Sequence, residues 1–173
     1  AGDALLVGRK PTGTLGLTNL RPGRRLYMLS TGTGIAPFAS LIKDLEVYDS
    51  FEQVVLVHGC REVAELAYGT DTIMRLRDDE YLGEPATQQL LYYSTVTREP
   101  YHHRGRITDL LANGTLARDL ALPDLNPAED RVMLCGNPQM LKDLAANLET
   151  RGFDEGSTGE PGSYVIEKAF VER

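Results

Sequence analysis

The run Ser30-Thr31-Gly32-Thr33-Gly34-Ile35-Ala36-Pro37 combines glycines, hydroxyl side chains and a proline in one short segment. Glycine lets a backbone turn sharply and come close to a ligand, and proline suits the first turn of a helix. A helix starting here would present N–H groups and partial positive charge, so the chemistry on offer is anion binding. Pro37 stands where the dinucleotide fingerprint G-x-G-x-x-G has its third glycine, and a ligand-free glycine turn fits the same residues. A second group is basic: Arg98, His102, His103, Arg104 and Arg106 follow Thr97 within a few residues. Guanidinium forks and hydroxyls hold a dianionic phosphate well, although each arginine alone also suits a solvated surface. Tyr101, His102 and His103 could stack on a flat ring or form an exposed polar loop. The third group is Cys135-Gly136-Asn137-Pro138-Gln139-Met140, where Gly136 would let the backbone approach a flat ring. Cys135 has no histidine or basic neighbour in sequence, so a nucleophilic role is not expected.

These residues must be positioned by regular elements, and the apolar pattern supplies them. Leu26–Leu29, Val54–Val57, Leu90–Tyr93, Val132–Leu134 and Tyr164–Ile166 read as short buried strands. Helical spacing covers residues 36–48, the positions Ile73, Met74, Leu76 and Leu82, the positions Ile107, Leu110 and Leu111, and residues 139–149. Strand and helix alternate, which predicts an α/β fold: a doubly wound parallel sheet of about five strands with helices on both faces. Upstream, residues 4–20 read as a β-hairpin, with a turn at Gly8 to Gly13 and spaced Leu15, Leu17 and Leu20. Arg21-Pro22-Gly23 then marks a boundary, giving an N-terminal piece at 1–22 and a main domain at 23–173. Residues 154–163 form a Gly/Ser/Pro-rich connector.

Composition narrows the function. The 173 residues carry a net charge of -7, which disfavours a general nucleic-acid binder. No apolar run is long enough to cross a membrane, and no metal-ligand spacing occurs. The two cysteines, Cys60 and Cys135, lie far apart and suggest a reducing cytoplasm rather than a disulfide framework. Ala1 opens the chain inside an apparent strand, so the N-terminus is expected to be a cut edge.

The segment Gly32-Thr33-Gly34-Ile35-Ala36-Pro37-Phe38 closely resembles the nicotinamide loop of ferredoxin–NADP⁺ reductases and their flavoenzyme relatives. Four later segments resemble that family in order. They are Val57-His58-Gly59-Cys60-Arg61 with Glu65-Leu66-Ala67-Tyr68, then Thr97-Arg98-Glu99 with Gly105-Arg106. Cys135-Gly136-Asn137-Pro138-Gln139-Met140 and the ending Val165-Ile166-Glu167-Lys168-Ala169-Phe170-Val171 complete the set. The last is similar to the flavin-facing tail of the bacterial subclass. Together the matches span residues 10–173.

The resemblance implies an oxidoreductase that exchanges electrons between NADP(H) and a ferredoxin- or flavodoxin-type carrier through FAD. Thr31 to Pro37 would then hold the pyrophosphate and nicotinamide side, and Thr97, Arg98 and Arg106, with Arg61 beside them, the 2′-phosphate. Cys135 and Glu167 would line the reacting centre, Gly136, Asn137, Pro138 and Met140 would shape the pocket, and Ala169, Phe170 and Val171 would face the flavin. The family's upstream antiparallel barrel carries an R-x-Y-[ST] motif for FAD, and that motif does not occur in these residues. Residues 1–22 resemble only the end of that barrel, so the chain is expected to be inactive alone as a reductase and to work with its FAD-binding domain. A flavohaemoglobin or oxygenase reductase domain would share the glycine and cysteine loops; Thr97-Arg98 and Ala169-Phe170-Val171 favour the ferredoxin reductase subclass. A non-catalytic nucleotide-binding module is the remaining alternative.

Overall fold

The computed structural model describes residues 15–167. Five parallel strands, β1 (Arg25–Thr31), β2 (Gln53–Cys60), β3 (Leu90–Val96), β4 (Asp130–Cys135) and β5 (Tyr164–Ile166), form one sheet in the order β3-β2-β1-β4-β5. Among the described residues the α-helices are α1 (Ile35–Leu41), α2 (Leu45–Ser50), α3 (Ala67–Arg77), α4 (Gly83–Gln89), α5 (Ile107–Ala112), α6 (Thr115–Asp119) and α7 (Pro138–Thr150). Successive strand residues point to opposite faces, and the two cores divide accordingly. Leu26 and Met28 of β1 pack with Phe38, Val47, Ile73 and Leu76 beneath α1 to α4, whereas Tyr27 and Leu29 pack with Leu110, Leu116, Leu144 and Leu148 beneath α5 to α7. The doubly wound parallel α/β architecture expected from the alternation is the one observed.

Side-chain capping accounts for the local departures from that expectation. The helix expected over 36–48 is two, because Asp44 leaves the helical region (φ -99°, ψ 123°) and its carboxylate accepts from the Glu46 N–H at 3.0 Å. The restart turns Val47 and Tyr48 inward and leaves Leu45 49% exposed. Asp79 likewise accepts from the Tyr81 and Leu82 N–H groups, both at 2.9 Å, which separates α3 from α4. Met74, expected on the apolar stripe, is 60% exposed. The short helix α6 begins after Gly114, whose φ of 74° favours glycine, with Asn113 accepting from the Thr115 N–H at 2.9 Å.

The hairpin expected over 4–20 takes a different form where it is described. Leu17–Asn19 is a 3-10 turn, with the Leu20 N–H donating to the Leu17 carbonyl at 3.0 Å. Leu15 and Leu17 both pack on the core of the α1 face instead of alternating, and Leu20 bridges to Gly162. Residues 4–14 of that expectation lie outside the described residues.

The end of the sheet where the strands begin is clamped by charge. Asp130 is fully buried and accepts from Arg25 Nε at 2.6 Å and from the Asn126 N–H at 2.7 Å. Arg131, 5% exposed, donates to the Arg21 carbonyl at 2.9 Å and to the Pro22 carbonyl. Removing the carboxylate would leave Arg25, whose side chain is 8% exposed, with Glu129 at 3.0 Å as its remaining acidic partner. Asp130→Ala is therefore expected to cost about 3 kcal/mol in urea denaturation, the penalty of breaking a buried pair. A loss below about 1 kcal/mol would show that Glu129 suffices as partner, as at an exposed ion pair.

Candidate functional site

The sheet order reverses between β1 and β4, and ligands of open parallel sheets bind in the crevice beyond the strand ends at such a point. Both glycine motifs meet there. After Thr31, Gly32–Gly34 form a 3-10 turn that leads directly into α1. Gly32 has φ +52°, and a Cβ built on it would meet nothing within 4 Å, so its open side can receive a ligand at close range. Gly34 does the opposite. A Cβ there would lie 2.5 Å from the Cys135 carbonyl oxygen, so this glycine serves the contact between the two loops. Thr33 and Ala36 are exposed, Pro37 and Thr31 half-buried, and Ile35 only 2% exposed within the core. Ile35 can therefore contribute its backbone but not its side chain.

On the β4 side, Gly136 adopts φ +144°, and a Cβ on it would press on Thr31, whose N is 2.9 Å away. The Asn137 N–H donates to Thr31 Oγ1 at 2.9 Å, tying the two loops together. Asn137 then caps α7, its side chain accepting from the Gln139 N–H at 2.9 Å and the Met140 N–H at 3.3 Å, with Pro138 in the first turn. Asn137 and Pro138 are exposed, while Met140 is 8% exposed and packs on the α7 core.

Cys135 is fully buried, and burial together with the nearby Glu167 charge pushes its thiol up to about 11. The Glu167 N–H donates to the Leu134 carbonyl at 2.9 Å, which extends the β4–β5 pairing by one residue and leaves the Glu167 charge close enough to act on Cys135. Ala169, Phe170 and Val171 lie outside the described residues.

The basic group sits at the neighbouring strand ends. The Thr97 N–H donates to the Cys60 carbonyl at 3.2 Å and the Arg98 N–H to the Arg61 carbonyl at 2.9 Å, so the β2–β3 ladder continues past both strands. Arg61 and Arg98 are thereby held side by side, and both are exposed. The loop then doubles back: the Gly105 N–H donates to the Val96 carbonyl at 3.0 Å, and Thr95 Oγ1 donates to the Gly105 carbonyl at 2.9 Å. This return brings exposed Arg106, at the start of α5, to the same end of β3. Glu65 accepts from the Arg61 and Glu62 N–H groups at 2.7 and 3.3 Å, which lowers its pKa, with smaller contributions from the Arg61 and Arg98 charges. His103 is occupied structurally, stacked on Tyr93 with ring centroids 4.0 Å apart. Tyr101 and His102, 3.9 Å apart by centroid, form the outer part of this loop.

His58, quoted in the sequence only as part of the Val57–Arg61 segment and given no role there, lies against this site. It is 1% exposed on β2, with Nε2 3.1 Å from the Gly32 carbonyl and Nδ1 3.2 Å from the Tyr92 hydroxyl. The available signal was a polar residue closing the apolar run Val54–Val57 at the ligand end of a strand. Among the described residues no cluster of His, Cys, Asp or Glu could hold a metal ion.

Residues 28–146 match the family model for the oxidoreductase NAD-binding domain. A ferredoxin–NADP reductase of Azotobacter vinelandii is 54% identical over 173 residues, covering 99% of this chain and 67% of its own length. The chain belongs to the ferredoxin–NADP reductase family. Ferredoxin–NADP reductase A of Sorangium cellulosum is 56% identical over 170 residues, covering 98% of this chain and 61% of its own length. The chain thus spans between about three fifths and two thirds of these reductases. A crystal structure of a ferredoxin–NADP⁺ reductase from Neisseria gonorrhoeae, with bound FAD and NADP, superposes with a TM-score of 0.76 at 31% identity, covering 90% of this chain and 60% of that one. A flavohaemoglobin from Malassezia yamatoensis shares the fold alone, at 20% identity and a TM-score of 0.58, covering 89% of this chain and 35% of that one.

Two outcomes follow for this reductase-family site. Gly136→Ala should cost about 2–4 kcal/mol of stability, from backbone strain and overpacking against Thr31, whereas Gly32→Ala should cost about 1 kcal/mol because only its φ is unfavourable. Equal losses in thermal or urea denaturation would contradict the contact geometry. Burial disfavours the thiolate, so Cys60 and Cys135, both free and both with thiols raised to about 11, should remain protonated and resist iodoacetamide in the native chain at pH 8. Rapid alkylation at that pH would show the burial to be wrong.

Proposed function

We propose that this chain is the NADP(H)-binding part of a flavoprotein that exchanges electrons between NADP(H) and a ferredoxin- or flavodoxin-type carrier through FAD. The observation that carries the proposal is the placement of two anion-binding chemistries on one edge of the sheet. The open Gly32 turn follows β1, and Arg61, Arg98 and Arg106 gather beyond β2 and β3. Strand spacing separates the two by about 10 Å, a reach suited to a dinucleotide lying across the strand ends with its pyrophosphate at one place and its 2′-phosphate at the other. The NADP-bound Neisseria relative supports this reading.

The residues divide the work accordingly. Thr31, Gly32, Thr33, Gly34, Ile35, Ala36 and Pro37 form the pyrophosphate and nicotinamide loop, with Gly32 giving close approach and Gly34 fixing the loop against β4. Thr97, Arg98 and Arg106, with Arg61, form the 2′-phosphate site, where the guanidinium groups supply fork-shaped donors. Gly136, Asn137, Pro138 and Met140 set the loop that faces them. Cys135 and Glu167 border the reacting centre, Cys135 as a small neutral thiol and Glu167 as the nearby carboxylate. When bound, the nicotinamide and flavin supply hydride and single-electron chemistry, and the protein supplies alignment.

The same proposal makes residues 1–22 the end of an FAD-binding barrel and 23–173 the nucleotide domain, with Ala169, Phe170 and Val171 toward the flavin. The buried free cysteines suit a reducing cytoplasm. Among the described residues no helix is long and apolar enough to cross a membrane.

Calorimetric titration with 2′-phospho-AMP and with AMP at fixed low salt tests the reading. The phosphorylated ligand should bind more tightly, and Arg98→Ala or Arg106→Ala should each weaken it by about tenfold to a hundredfold while leaving NAD(H) nearly unchanged, as expected for lost bonds to a charged group. Equal losses for both nucleotides would sink the 2′-phosphate assignment.

A further inference from the structure

His58 lies in none of the groups just assigned, yet it is the buried side chain on which the Gly32 turn rests. The ring is 1% exposed, and each nitrogen has a partner: the Gly32 carbonyl at 3.1 Å from Nε2 and the Tyr92 hydroxyl at 3.2 Å from Nδ1. A carbonyl can only accept, so Nε2 must carry the hydrogen that points at Gly32. The neutral ring then has Nδ1 as an acceptor, which fits a proton donated by Tyr92. Tyr92 is itself hydrogen-bonded to the Thr70 side chain, so one direction of donation runs from α3 through β3 and β2 to the glycine turn. Cys60 Sγ, 3.2 Å from Nε2, completes the surroundings.

The pair is closed from above by α3. A Cβ on Gly69 would lie 2.6 Å from the Tyr92 hydroxyl, 2.7 Å from His58 Nδ1 and 2.9 Å from Ile35 Cδ1. The charged neighbour of this pocket is Glu65, on the turn before α3, and burial outweighs it in holding the imidazole below its ordinary pKa. Burial thus favours the neutral ring.

The consequence concerns one peptide plane. In a trans peptide the carbonyl and the following N–H point in opposite directions, so a Gly32 carbonyl drawn inward to His58 turns the Thr33 N–H outward. Gly32 sits at φ +52° with open space on its free side, a conformation with no side chain of its own to hold it. We propose that His58 is the positioning residue of the nucleotide site: as an Nε2–H donor to the Gly32 carbonyl, it fixes the Gly32–Thr33 peptide with its N–H toward the pyrophosphate. This rests on the reading of the Gly32 turn as the pyrophosphate loop. His58 touches no ligand itself; it raises affinity by keeping the loop in the binding geometry before the ligand arrives.

The test uses the full chain and two probes, NADP⁺ and adenosine 2′-monophosphate, the second of which has no pyrophosphate. His58→Leu should weaken NADP⁺ by about tenfold and leave adenosine 2′-monophosphate within about twofold, the loss expected when the Gly32 carbonyl is left with the Ile35 N–H as its donor. His58→Gln, whose amide nitrogen can reach the same carbonyl, should restore most of the NADP⁺ affinity. A role confined to packing would give Leu and Gln similar affinities, and that result would overturn the proposal. Nitrogen NMR of the wild-type ring gives an independent reading that survives a failure of His58→Leu to fold: the Nε2–H tautomer is expected, and the Nδ1–H tautomer would overturn the proposal. Wild-type binding of both probes with NADP⁺ affinity unchanged in His58→Leu would overturn this inference alone. Binding of neither probe by the wild-type chain would overturn the nucleotide reading and this inference with it.

Discussion

Gly34 and the Cys135 carbonyl meet so closely that no side chain fits between them, and the rest of the site depends on that contact. Two loops leave adjacent parallel strands at the point where the sheet reverses direction, and a crevice would open between them if either carried bulk at this position. Glycine on both loops removes the bulk, and the Asn137 N–H to Thr31 Oγ1 hydrogen bond fastens what remains. The turn at Gly32 can then face outward because its neighbour at Gly34 faces inward. One glycine faces open space and the other a neighbouring backbone, a division that their equal appearance in sequence conceals.

Much of the architecture was legible because it depends on local apolar runs. Val54–Val57 and Val132–Leu134 are continuous apolar stretches, the signature of strands covered on both faces, and they lie within β2 and β4. Helix continuity was less legible, since Asp44 and Asp79 redirect the chain between helices through side-chain acceptance that periodicity does not register. Leu17 failed as a strand residue for a related reason: its apolar side chain serves the same core whether the backbone is extended or turned.

The candidate site shows the same pattern at closer range. The glycine loop, the Cys135 loop and the arginines were visible as residue types, and the ladder beyond β2 and β3 explains how Arg61 and Arg98 come together across 37 positions of sequence. His58 was hidden because its importance lies in what the Gly32 carbonyl does, and a backbone acceptor leaves no mark in a sequence. His103 was ambiguous for the opposite reason: its type suggested a ligand, while its ring is taken up by Tyr93.

The buried charges at the far end of the sheet give β4 a mechanical meaning. Arg131 grips the carbonyls of Arg21 and Pro22 ahead of β1, and Cys135 at the other end of the same strand abuts Gly34. Four residue steps of extended backbone set these two points about 13 Å apart. Hydrogen-bonded on both sides to β1 and β5, that strand behaves as a strut. A displacement imposed on residues 21 and 22 would therefore arrive at the glycine loop as a shift of a rigid rod, with no hinge along its length to absorb it.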